Sequence, residues 1–119
     1  MTFYDSHGRA IAYLHDDGIH IYHFNGRPVA YLYNDAVYGF NGHQFGWFED
    51  GWIRDLKGCC VFFTENATGS GPAKPAKNAK PTKGAKYAKP AKCAKYARQA
   101  KAAKSLSWSR LSGAQFFEQ

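Results

Sequence analysis

The chain of 119 residues has a formal net charge of +7, but its two parts carry opposite charges. Residues 1–70 contain four Lys or Arg against eight Asp or Glu, a net charge of −4, whereas residues 71–119 contain twelve Lys or Arg against one Glu, a net charge of +11. No run approaches the roughly 20 apolar residues of a membrane span, and no apolar segment resembling a signal peptide follows Met1, so we expect a cytoplasmic protein.

Residues 1–68 contain four copies of one hairpin motif, aligned on glycines that are 18, 16 and 16 residues apart. These glycines are Gly8, Gly26, Gly42 and Gly58. The dipeptides Asn25-Gly26 and Asn41-Gly42 predict type I′ turns, in which both central residues have positive φ. Polar turns rich in Asp and Gly join each copy to the next. The pattern therefore predicts an all-β domain.

The strand that follows each glycine alternates large, small and large side chains. Because successive side chains of a strand point to opposite faces, we predict that Ile11 and Tyr13 point inward together. Ala12, Ala30 and Gly46 then occupy the opposite face. Their small size predicts that another segment of the chain approaches that face closely.

The two ends of the repeat indicate how the hairpins are arranged. The first copy begins with the strand Phe3-Tyr4, whereas the last copy runs out at residues 66–69 without a returning strand. If the N-terminal strand completes the last copy, the sheet closes around a pseudo-fourfold axis and leaves no exposed edge strand. We therefore predict circular closure, with an open twisted meander as the alternative.

After a linker at residues 69–71, the chain repeats a three-residue unit over residues 72–104, in which the third position is always basic and the second is Ala except at Thr82. The basic residues are Lys74, Lys77, Lys80, Lys83, Lys86, Lys89, Lys92, Lys95, Arg98, Lys101 and Lys104. Polyproline II has three residues per turn and would place all of them on one edge, whereas an α-helix would wind them around its axis. We predict an extended basic tail; disorder, or a helix over the proline-free residues 91–104, is the alternative.

Residues 105–119 form a separate C-terminal segment that is too apolar to be simply solvated. Its large apolar residues are Trp108, Leu111, Phe116 and Phe117. We predict that these side chains dock in a groove of the domain or of a partner, and a loose terminal peptide is the alternative.

The four hairpins, the Pro-Ala-Lys triplets and the ending Ser-x-Ser-Trp-Ser-x-Leu-Ser followed by Phe-Phe together resemble bacterial 4-fold beta flower proteins. The residues that match this ending are Ser105, Ser107, Trp108, Ser109, Leu111, Ser112, Phe116 and Phe117. The resemblance covers nearly the whole chain and implies hairpin petals around a pseudo-fourfold axis. It implies no activity and no catalytic residues.

The sequence lacks the residue constellations of an active site or a metal centre. His20 and His23 would face opposite sides of a strand, which is poor geometry for a shared metal ion. Nearby cations favour the thiolate of Cys93, but no base or orienting partner is identifiable. We predict that the protein is not an enzyme and has no metal, no cofactor and no small-molecule substrate.

Two functions fit the charge pattern. In the first, the basic tail docks on the acidic surface of its own or a neighbouring domain, and the protein forms a homo-oligomer or scaffold. In the second, the tail binds nucleic acid or another polyanion without sequence preference, while Tyr87 and Tyr96 stack on single-stranded bases. Membrane adhesion ranks third because the tail has no amphipathic face. We favour assembly, which explains both the acidic domain and the apolar C-terminal segment.

Overall fold

The computed structural model describes all residues 1–119 and contains eight short antiparallel strands that close into a barrel. The strands are β1 (Thr2–Tyr4), β2 (Ala10–Leu14), β3 (His20–His23), β4 (Pro28–Tyr33), β5 (Ala36–Tyr38), β6 (Gln44–Glu49), β7 (Trp52–Asp55) and β8 (Cys60–Phe63). Each strand pairs with the next along the chain, and β8 returns to β1 where Tyr4 pairs with Phe63. The predicted closed all-β domain, which we call the head (residues 1–68), is thus confirmed, and the open meander is excluded.

The strands pair as four hairpins, which we call petals 1 to 4. They are β1–β2, β3–β4, β5–β6 and β7–β8, with Gly8, Gly26, Gly42 and Gly58 in their respective turns. These four turns define one end of the barrel, the glycine-turn end. The turns that connect successive petals, at residues 15–19, 34–35 and 50–51, define the other end together with residues 64–67, and we call it the linking-turn end.

The predicted type I′ turns at Asn25-Gly26 and Asn41-Gly42 are wrong, because in each pair only the glycine has positive φ. In petal 2 the N–H of Gly26 donates to the carbonyl of His23, and the N–H of His23 donates to the carbonyl of Arg27, which is the arrangement of a turn followed by a glycine bulge. A second bulge leaves Val29 without a pairing partner. The consecutive residues with positive φ lie instead in the linking turns, at Asn34 and Asp35.

The predicted strand faces are wrong for Tyr13 and for Ala12 and its equivalents but right for Ile11, and the bulges are the reason. In petal 1, Tyr4 pairs with Ala10 and Phe3 pairs with Ala12, so Ile11 is an extra residue. The bulge re-aims Ile11, which packs against the interior cluster that contains Phe3 and Ala12, whereas Tyr13 belongs to a separate cluster on the outer face. The small side chains at Ala12 and its equivalents therefore fit the narrow interior rather than a second chain segment.

The triplet region encircles the head. We call residues 72–107 the belt; they contain no helix and no strand, so the alternative helix over residues 91–104 is absent. The belt passes the glycine turns of petals 1 to 4 at Ala76, Ala85, Ala94 and Ala103, which are nine residues apart. At about 3.1 Å per residue, four such steps give a circumference of about 110 Å and a diameter of about 36 Å. The molecule measures 36 × 35 × 22 Å, so its two larger dimensions agree with the diameter of the belt.

The C-terminal segment closes the barrel at the glycine-turn end. A short helix, α1 (Gly113–Phe116), begins at Ser112, whose side chain and that of Gln115 form a capping box. Phe116 and Phe117 are buried, and both pack against Phe62 of the barrel interior. We call residues 108–119 the plug.

Candidate functional site: the belt on the aromatic rim

Backbone hydrogen bonds join the belt to every petal at the same point. The donors are the N–H groups of Asn78, Tyr87, Tyr96 and Ser105, and the acceptors are the carbonyls of Gly8, Gly26, Gly42 and Gly58 at 2.8, 2.9, 3.0 and 3.1 Å. Gly84 and Cys93 add a second bond each, to Phe24 and Phe40. Pro75 occupies the equivalent position at petal 1, where the missing N–H leaves a single bond.

The petal glycines leave room for the belt as well as forming the turns. Their φ values lie between 79° and 95°, in the left-handed region. A Cβ atom added at any of them would overlap the carbonyl oxygen of the belt alanine that crosses there. Glycine is therefore required at these positions for two reasons: the turn needs a positive φ, and the belt leaves no room for a Cβ atom.

At petals 1 to 3 the belt ammonium groups lie over aromatic rings of the outer face. The distances to ring centroids are 5.9 Å for Lys77 over Tyr4, 4.2 Å for Lys83 over Tyr13, 5.9 Å for Lys86 over Tyr22, 4.6 Å for Lys92 over Tyr31 and 4.3 Å for Lys95 over Tyr33. Contacts of this kind contribute about 0.5–1 kcal/mol each at exposed sites. Beneath the belt, Tyr13 and Tyr31 are buried, and burial raises the pKa of both hydroxyls.

Petal 4 holds the belt by a different contact. Arg54 stands where the other petals have a tyrosine, and its side chain is almost fully buried. The guanidinium donates to the carbonyl of Gly58 at 2.7 Å and to that of Ser105 at 2.8 Å, and its other amino group donates to the carbonyl of Ser70. Because Ser70 precedes the belt and Ser105 lies near its end, Arg54 fastens the two ends together.

The ion pairs between belt and head are confined to the same region. Lys101 pairs with Glu49, and Lys104 lies 2.8 Å from Glu49 and 3.0 Å from Asp50. Hydrogen bonds from the two lysines lower the pKa of Glu49 from 4.5 to about 2, and donating to Glu49 raises the pKa of Lys104. The cations expected on an acidic surface thus meet carboxylates only at this point, and five of the others lie over aromatic rings.

The other belt cations are more loosely held. Lys74 donates to the carbonyl of Ala67 at 2.8 Å, and Arg98 donates to the carbonyls of Tyr33 and Asn34. Lys80 and Lys89 are exposed and have no hydrogen bond, ion pair or aromatic contact.

The predicted stacking and docking residues separate into exposed and buried groups. Tyr87 and Tyr96 are 63% and 62% exposed, although Tyr96 also contacts the ring of His43. Trp108 lies between Trp52 and Phe63, with centroids at 6.1 and 6.2 Å. Leu111, Phe116 and Phe117 pack against the barrel interior. The structure therefore places the docking segment on its own head.

A family model described as 4-fold beta flower protein matches residues 1–117. The chain belongs to this family. The family description names an architecture and no reaction, ligand or partner. No curated protein and no solved structure gives a significant match.

The titratable side chains of this flower do not converge on a reaction centre. No three His, Cys, Asp or Glu side chains lie close enough together to hold a metal ion. Oδ2 of Asp17 lies 2.6 Å from Nδ1 of His20, and the His20 ring stacks on Phe40. The three cysteines are free, and burial raises the pKa of Cys60 to about 11. The structure contains no helix with the length and apolarity needed to span a bilayer.

Sequence reasoning missed the nine-residue period of the flower's belt and the role of Arg54. The longer period is visible in the sequence, because Pro72, Pro81 and Pro90 recur every nine residues. Three triplets per hairpin copy would have predicted one belt unit for each petal. In the sequence, Arg54 stands at the position that Tyr4, Tyr22 and Tyr38 occupy in the other hairpin copies. Nothing in the sequence shows that both belt ends meet at this residue.

Proposed function

We propose that this flower is a non-catalytic assembly protein, which closes its basic belt around its own head and then binds further copies through opposite charges. The observation that carries the proposal is the separation of charge along the barrel axis. A closed unit with one acidic end and a basic belt has charged surfaces that are complementary to those of neighbouring copies.

The acidic residues of the head are concentrated at the linking-turn end. Six of its eight carboxylates lie in or beside the linking turns: Asp16, Asp17, Asp35, Glu49, Asp50 and Glu65. The exposed cations of the head, Arg9, Arg27 and Lys57, all lie at the glycine-turn end. Wrapping of the belt neutralises only Glu49 and Asp50 by ion pairing. Lys74 and Arg98 also reach this end, where they donate to backbone carbonyls of Ala67, Tyr33 and Asn34. The carboxylates of Asp16, Asp35 and Glu65 remain unpaired there, and the exposed cations of the head lie at the opposite end.

Contacts with the head restrict the belt. Its backbone is bonded to all four petals, and most of its cations contact the head, so it is not a free polycationic arm. We also propose a cytoplasmic location, since cysteines that form no disulfide suit a reducing compartment.

Light scattering of the full chain at several salt concentrations tests the proposal. Salt at about 0.1 M screens charges over about 10 Å, and at about 1 M over about 3 Å. We expect an oligomer at the lower concentration that dissociates to the monomer at the higher one. A chain that is monomeric at both, over a wide range of protein concentration, would contradict the proposal.

Polyanion binding is the second candidate, and the unpaired cations Lys80 and Lys89 with the exposed rings of Tyr87 and Tyr96 favour it. The tyrosines would stack on single-stranded bases. A mobility shift at about 50 mM salt that weakens as salt rises would support this candidate, and no shift at that concentration excludes it.

A further inference from the structure

We infer that the linking-turn end of the barrel is a docking surface for the glycine-turn end of a second copy, so that closed units stack along the barrel axis. The inference rests on the assembly function proposed above and identifies the contact that produces it. Three features of the two ends carry it.

The first feature is an uncovered apolar mouth. Leu14, Leu32 and Phe48 pack against the interior cluster at this end and are only partly buried. Met1 and Ile19, at the same end, are 45% and 43% exposed. The plug covers the opposite end with Phe116 and Phe117, whereas the partly buried side chains at the linking-turn end are not covered by the plug.

The second feature is a set of free carboxylates at the same end. Asp16, Asp35 and Glu65 are exposed and come from three different linking turns. None of their carboxylates forms an ion pair or a hydrogen bond, unlike those of Asp17, Glu49 and Asp50. Unpaired carboxylates around an apolar centre match the usual anatomy of an interface, with an apolar core and a polar rim.

The third feature is a matching set of free cations at the opposite end. Arg27 and Lys57 lie in the glycine turns of petals 2 and 4, and Arg110 lies in the plug. All three are exposed, and none has an ion pair or a side-chain hydrogen bond. They belong to the end that would face Asp16, Asp35 and Glu65 of the next copy.

A second copy fits this surface because its glycine-turn end carries free charges of the opposite sign. Stacking two copies end to end brings the end that carries Arg27, Lys57 and Arg110 against the end that carries Asp16, Asp35 and Glu65. The net charge of +7 opposes association at long range. At about 0.1 M salt, however, charges more than about 10 Å apart are largely screened, whereas the facing sets are in contact. The two surfaces differ, so the contact is heterologous and extends into a linear stack.

The test compares the wild-type chain with the triple variant Asp16→Asn, Asp35→Asn, Glu65→Gln by light scattering, under the conditions in which the wild type assembles. We expect the triple variant to be monomeric with an unchanged thermal unfolding curve. Glu118→Gln removes an exposed carboxylate from the opposite end and serves as the matched control. This control is expected to assemble like the wild type.

A charge exchange tests the pairing of the two ends directly. The variants Asp16→Lys with Glu65→Lys and Arg27→Glu with Lys57→Glu are each expected to be monomeric, because each places like charges at the contact. Mixing them is expected to restore the wild-type mass, since both kinds of contact are then between opposite charges.

The outcomes separate this inference from the proposed function. If the wild type assembles and the triple variant assembles equally well, or the mixture stays monomeric, the end-to-end contact is wrong and assembly through the belt takes its place. If the wild type never assembles, both proposals fail. Binding of polylysine to a chain that remains monomeric would point to a different basic partner and would also overturn the inference.

Discussion

Petals 1 to 3 and petal 4 hold the same belt by different chemistry. In the first three, lysines lie over tyrosine rings, whereas in the fourth a buried guanidinium and a cluster of ion pairs replace them. The belt passes petals 1 to 3, and both of its ends lie beside petal 4. There the backbone carbonyls of Ser70 and Ser105 need hydrogen-bond donors. Arginine suits this position because one planar guanidinium carries several donors. The comparison indicates that aromatic contacts guide the belt and that Arg54 closes it.

The largest effect is expected where the belt crosses a petal glycine. Gly26→Ala should lower the free energy of unfolding by about 2–5 kcal/mol, because the left-handed conformation costs about 1–2 kcal/mol and overpacking against Ala85 adds about 1–3 kcal/mol. Gly18→Ala is the matched control, since Gly18 has positive φ but no atom within 4 Å of its added Cβ. It should cost only the conformational part in denaturant unfolding. Equal losses would show that the belt does not depend on the close approach.

The next effect concerns the closure at petal 4. Arg54→Tyr restores the residue of the other petals but removes the donors to Gly58, Ser70 and Ser105. We expect a loss of about 2–3 kcal/mol, since buried carbonyls lose hydrogen bonds from a charged donor. Limited proteolysis should then cleave at the belt ends before it cleaves near petals 2 and 3. An unchanged cleavage pattern would contradict the closing role of Arg54.

A smaller effect is expected for a single aromatic contact. Lys83→Ala should lower the free energy of unfolding by about 0.5–1 kcal/mol, because it removes an ammonium group 4.2 Å from the Tyr13 ring centroid. Lys80→Ala is the control, as Lys80 has no partner, and its effect should stay within about 0.5 kcal/mol. Equal losses of unfolding free energy at the two positions would show that the aromatic contacts do not help to hold the belt.

The smallest effect is the pH dependence of the ion pairs. The pKa of Glu49 is lowered from 4.5 to about 2, so its contribution to stability is present above pH 4.5 and is lost as the pH falls toward 2. Exposed pairs of this kind contribute at most about 1 kcal/mol. The protection factor of the Ser105 amide, which compares its exchange rate with the intrinsic rate at the same pH, should fall over this range in the wild type more than in Glu49→Gln. Parallel curves for the two proteins would show that the pairs add nothing to belt closure.

The sequence predicted the repeated hairpins and their closure because strand-forming residues and glycine turns recur at nearly constant spacing. The turn type at Asn25-Gly26 and the position of Tyr13 on the outer face could not be predicted in the same way. Both depend on a bulge of one residue, which reverses the alternation of side chains along the strand. The lysine contacts with Tyr13 and Tyr31 follow from that reversal, because it leaves these two tyrosines on the outer face.

By itself, the sequence determined that the chain has an acidic head of four hairpins and a basic segment of three-residue period, since both are repeats of local pattern. Tertiary structure alone decided that the belt lies on its own head and that petal 4 closes it. The reason is geometric: a three-residue period describes an extended segment, but what it contacts depends on whether nine residues span the distance between neighbouring petals. The separation of free charges at the two barrel ends likewise emerges only when alternate turns are gathered at opposite ends of a closed sheet.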